Sequence, residues 1–171
     1  MTTMIVLRLF HILSGVFWVG SLVFVSVFLL PAFKSVGPAG GAVMKELTQR
    51  LQFQKWILLA GWLTILSGAV MVWRDAGTLG LRWFEQGSGR TFGIGAVLAL
   101  IATALGMSIN IPTVNRIGAL TATFQAAGRP PSAEEQAEIQ RLQARLGTVG
   151  KLVALLLVLA AAAMAIARYT V

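Results

Sequence analysis

The stretch Met4–Phe33, MIVLRLFHILSGVFWVGSLVFVSVFLLPAF, carries only two ionisable side chains, Arg8 and His11. About 20 apolar residues suffice for a helix to cross the hydrocarbon core of a bilayer. This stretch therefore reads as a membrane-crossing helix of residues 4–33. Three further segments meet the same length: 53–73, 91–111 ending near Pro112, and 147–167. The expected fold is an all-α membrane protein, a single four-transmembrane-helix domain over residues 1–171.

Composition supports that class. Hydrophobic residues make up 57% of the chain and charged ones 12%, about half the charged fraction of a soluble domain. The net charge of +8 does not indicate a nucleic-acid partner, because the basic residues fall mainly at the edges of apolar segments. The chain has no cysteine, which excludes disulfides, iron–sulfur clusters, thiolate metal sites and covalently attached c-type haem. The run after Arg8 is longer than the usual signal-peptide core, and no small-x-small cleavage site ends it. It reads as a retained first helix.

The first connection holds Lys34, Lys45, Arg50 and Lys55, and the third holds Arg116, Arg129, Arg141, Arg145 and Lys151. The opposite side holds Arg8, Arg74, Arg82, Arg90 and Arg168. The positive-inside rule then places both termini outside, on the periplasmic side of a bacterial inner membrane.

The connections have their own signals. Val36–Gly41 is a Gly/Pro-rich hinge, and 43–55 reads as an interfacial helix with apolar and basic faces. Gly128-Arg129-Pro130-Pro131 is a break. Ser132 with Glu135 three residues later is a capping box, and the charged stretch 134–145 continues into the fourth span. It is expected as a solvated extension, or as a surface (132–146) that docks a larger membrane complex. Trp73, Trp83 and Phe84 around the outer loop are expected as an interfacial aromatic belt. Pro112 is expected to kink or end the third span, with Asn110 and Asn115 satisfying the freed backbone groups or bonding across helices. No internal repeat is visible.

His11 is the only histidine, and no carboxylate lies in any of the four apolar cores. It is the one side chain there able to bind a metal or carry a proton near neutral pH. Residues three, four and seven apart share a helix face, so Arg8, Ser14, Gly15, Trp18 and Leu22 accompany it. Ser14 and Gly15 are small enough to admit a backbone or a flat cofactor. Trp18 is a candidate pocket wall, and Arg8 a partner for a phosphate or a haem propionate. By position along the spans, Met71 and Met164 share the outer half with His11, and His with Met suits haem iron or copper. The plainer reading is that His11 bonds across helices, the methionines pack, and Arg8 snorkels to headgroups.

The segment His11-Ile-Leu-Ser-Gly15-Val-Phe-Trp18-Val-Gly20 resembles the first helix of a bacterial membrane superfamily. That superfamily includes copper-resistance protein D, small four-span proteins, the membrane domain of a urate oxidase, and the His-dependent membrane protoporphyrinogen oxidase. The runs Gly68–Arg74 and Pro112–Arg116 are similar to its small four-span members. The resemblance implies a b-type haem ligated by His11, with Gly15, Trp18 and Gly20 forming the pocket. Departures are equally specific. Apart from Lys55 at the edge of the second span, no lysine lies within the second or third span, whereas the haem-pathway enzyme has a further lysine in its membrane core. No second histidine is present, and no soluble cytochrome domain.

Three functions follow as alternatives. One is a b-type haem protein for electron transfer or a small oxidoreductase, five-coordinate, His–Met, or His–His across a homodimer. One is a copper-handling membrane protein with His11, Met71 and Met164 as ligands. One is a non-catalytic subunit or assembly factor. A proton-driven transporter is disfavoured, because it needs titratable groups along its path.

Overall fold

Residues 2–170 are described by a computed structural model, almost entirely helical with no strand among them. Four rods carry the fold: α1 Thr2–Val36, α3 Phe53–Ala76, α4 Gly87–Ala126 and α5 Ala133–Ile166. A shorter helical segment, α2, occupies 38–50 between the first two. All four rods are long and apolar enough to cross a membrane. The chain is a transmembrane four-helix bundle.

α1 packs along α3, and α4 along α5, while α1 against α5 joins the two hairpins. The lateral order is thus second, first, fourth, third. Where hairpins meet, Trp18, Ala60, Ala102, Val153 and Leu157 form the buried core. Much of that core is small. Apolar burial does not drive helices together in lipid, so close van der Waals approach must. Gly61 shows how: the Trp18 ring lies 3.1 Å from where a Cβ would stand. The large side chains Leu9, Leu13, Val16, Phe17 and Phe28 stay on the outside, where acyl chains replace water as solvent.

The third rod departs from expectation. It does not end near Pro112 but runs on to Ala126. The reason is a widened turn over Gly106–Asn110, in which the Ile111 amide donates to the Gly106 carbonyl five residues back. A proline ring clashes with the carbonyl four residues before it, and widening the preceding turn relieves that clash. The first rod repeats the device: Val25–Leu29 is widened, Leu30 donates to Val25, and Pro31 follows. Asn110, at the end of this widened turn, has its Oδ1 buried without a hydrogen-bond partner.

At 1.5 Å per residue, the 40-residue α4 is roughly 60 Å long, about twice the hydrocarbon thickness. Its last turns and the first turns of α5 therefore project beyond the membrane as a helical hairpin. Arg116 Nε donates to Glu138 Oε1 across it at 2.8 Å, so part of the charge on 132–146 is matched within the chain. The capping box is present as expected: Ser132 Oγ accepts from the Glu135 amide, and the Glu135 carboxylate accepts from the Ser132 amide. Both Arg129 terminal nitrogens also donate to Glu135, each at 2.8 Å. These bonds hold the Glu135 carboxyl at about 2, below its ordinary 4.5. Because the folded value is depressed, the cap's contribution is complete above about pH 4.5 and is lost as pH falls through 2. A carboxyl-carbon NMR titration should place Glu135 near the lower value, and Arg129→Ala should move it upward.

The connection between α3 and α4 is also more ordered than a belt of aromatics requires. Gly77–Glu85 forms two short tight helical turns kinked at Gly80 (φ 56). Trp73 is exposed as a belt residue should be, but Trp83 is buried and stacks on Phe92 with centroids 6.2 Å apart. Phe84 meets Trp83 edge-on. The turn is thereby fastened to the start of α4.

Candidate functional site at His11

α3 presents Ala60, Gly61, Thr64, Ser67 and Gly68 along one stripe, spaced by three and four residues. Apart from Ala69 and Ala76, these are the small and hydroxyl-bearing residues of the helix, and α1 lies against α3. Thr64 and Ser67 return their hydroxyl protons to carbonyls of their own helix, Ala60 and Leu63, as such side chains do in apolar surroundings. Their remaining lone pairs and the Thr64 carbonyl face α1.

His11 docks onto this stripe. Its Nδ1 lies 2.8 Å from the Thr64 carbonyl oxygen and 3.3 Å from Ser67 Oγ. A carbonyl only accepts, so Nδ1 carries the hydrogen and donates it. In the neutral ring Nε2 is then the unprotonated nitrogen. A backbone anchor on one ring nitrogen that leaves the other as a lone-pair donor is the arrangement of metal-ligating histidines. Gly68 makes the approach possible: a Cβ there would stand 2.9 Å from His11 Cε1 and 3.2 Å from Nδ1.

Ser14 and Gly15 meet the same stripe one turn deeper. Ser14 Oγ lies 2.9 Å from Thr64 Oγ1, and Thr64 Cγ2 lies 3.5 Å from the position a Cβ on Gly15 would take. Trp18 follows on Gly61. It is a core side chain, 6% exposed. Leu22 packs against the same core, whereas Gly20 has no neighbouring atom within 4 Å of a would-be Cβ.

Arg8 parts company with this group and is exposed. At 100° per residue it is about 60° from His11 around the helix, at the margin of the packed face. Leu7, on the other side of His11, is half-buried instead. Met71, half-buried, lies on α3 three residues beyond Gly68 toward the C-terminal end of the helix. Met164 belongs to the other hairpin: its Cγ lies 2.9 Å from the Cβ position of Gly95 on α4. The structure thus brings His11, Ser14 and Gly15 together on α3 and turns Met164 toward α4. Among the described residues no group of three or more His, Cys, Asp or Glu can hold a metal ion.

Beside His11 a shallow crevice of about 300 Å³ opens on the lipid-facing side, lined by Leu7, Phe10, Leu63, Leu66, Ser67 and Val70. Ser67 is its single polar side chain, and it is the one that reaches Nδ1.

No family model, curated protein or solved structure matches the chain.

Thr64, Ser67 and Gly68 were not legible as site residues in the sequence. Hydroxyls that bond to their own helix read as neutral filler in an apolar span. The available signal was their spacing with Ala60 and Gly61, one small-residue stripe in an otherwise bulky helix.

Proposed function

We propose that the chain is an integral-membrane b-type haem protein, an electron-transfer subunit or small oxidoreductase of a bacterial inner membrane, with His11 Nε2 as axial ligand and both termini outside. The observation that carries this reading is the 2.8 Å bond from His11 Nδ1 to the Thr64 carbonyl. It sets the tautomer that an axial ligand requires and holds the ring against rotation. The donor set fits one axial ligand per chain. Ser67 and Thr64 orient the ligand, the apolar crevice excludes water from its vicinity, and the exposed Arg8 guanidinium suits a propionate at the outer side. Haem bound there would supply one-electron transfer. Copper handling has less support, because Met164 packs into the opposite hairpin.

Detergent-purified protein, expressed with ample haem, should show a Soret band and a pyridine haemochrome with at most one haem per chain. His11→Ala should abolish both while the helical circular dichroism persists. A folded, colourless wild-type protein refutes the assignment.

A further inference from the structure

α2 and α3 meet at Gln52, a non-glycine residue in the left-handed region (φ 50, ψ 36). That bend sets the last turns of α2 beside the first turns of α3 and leaves a cavity between them. It measures about 270 Å³ and is lined by Thr48, Gln49, Gln52, Gln54, Lys55 and Leu58. No carboxylate lines it. Lys55 is its one charged group, and Gln52 Oε1 accepts one of the ammonium hydrogens at 3.0 Å. An ammonium has three hydrogens, so donors remain for an incoming anion. The three glutamine side chains add amide N–H groups.

The position narrows the ligand. The cavity lies at the end of a membrane-crossing helix, on the side of the two more basic connections. Trp56, one residue beyond Lys55, is exposed at this level, as an interfacial aromatic is. Leu58 supplies an apolar lining one turn deeper. A polar, cationic mouth above an apolar side chain at headgroup depth matches a group that is anionic at one end and hydrocarbon at the other.

We propose that this cavity binds the headgroup phosphate of an anionic phospholipid, with Lys55 as charge partner, Gln52, Gln49 and Gln54 as hydrogen-bonding groups, and an acyl chain passing Leu58. The site is separate from His11 and stands without the haem reading.

Native mass spectrometry of the full chain, equilibrated with equimolar phosphatidylglycerol and phosphatidylcholine, tests it. Retention of phosphatidylglycerol should exceed that of phosphatidylcholine by at least fivefold. Lys55→Ala should remove most of that preference, and Gln52→Ala should lower it. Lys151→Ala, which removes a cation on α5 outside the cavity, should leave it intact. Equal loss in Lys55→Ala and Lys151→Ala would show only diffuse charge attraction and overturn the site, as would no preference in the wild type. Competition by millimolar inorganic phosphate would assign the cavity to a soluble anion and overturn the lipid.

Discussion

Gly68→Ala is expected to disable the His11 site while leaving His11 in the chain. The new Cβ would stand 2.9 Å from His11 Cε1, well inside van der Waals contact, and the neighbour is a side chain that can swing. The ring leaves the Thr64 carbonyl, and the lost anchor costs about 1–3 kcal/mol. Without it neither the tautomer nor the ring direction is set. Haem content should fall at least tenfold, close to the loss in His11→Ala. The site can also be read without haem. As the only histidine, His11 gives a single imidazole in a ¹⁵N-histidine-labelled sample. The wild type should show a protonated Nδ1 and an unprotonated Nε2, and Gly68→Ala a mixture of tautomers. Gly20→Ala serves as control, since nothing lies within 4 Å of its Cβ position. An unchanged imidazole signal in Gly68→Ala would mean that the ring is not held by this contact.

Gly89→Ala should be the most destabilising single methyl addition outside the His11 site. Its Cβ would collide with the Trp83 carbonyl oxygen and stand 3.0 Å from the Trp83 ring. The first of these atoms is backbone, so no rotamer change relieves it. Either α4 shifts or the Gly77–Glu85 turn lifts away and exposes Trp83. Overpacking of this kind costs about 3 kcal/mol. A thermal scan in detergent should show a lower midpoint, and the near-ultraviolet circular dichroism from the Trp83–Phe92 stack should weaken. Gly20→Ala should be neutral or slightly stabilising, because alanine is the better helix former. A Gly89→Ala midpoint equal to that of Gly20→Ala would contradict the fastening of this turn.

Both predictions rest on steric contacts between segments distant in sequence, and that is where reading the sequence reached its limit. The four spans were legible because the length of an apolar run is set by bilayer thickness, a quantity outside the protein. The capping box at Ser132 was legible because both partners lie within four residues. That the third helix continues past Pro112 is not legible, because a widened turn five residues long absorbs the proline and leaves only a faint trace in composition. Composition alone places Trp83 in the belt, yet whether an aromatic faces headgroups or a helix depends on the fold of the turn that carries it.

The sequence by itself determined that this chain crosses a membrane four times and that His11 is the one imidazole in its apolar cores. Hydropathy and residue type are local, additive properties, and they suffice for that. Only the tertiary structure decided which helix His11 faces, that its Nδ1 is spent on the Thr64 carbonyl, and that Gly68 is the residue allowing it. Helix pairing in lipid is chosen by close contact of small side chains rather than by apolar burial, and the fit of two such surfaces exists only once both are in place.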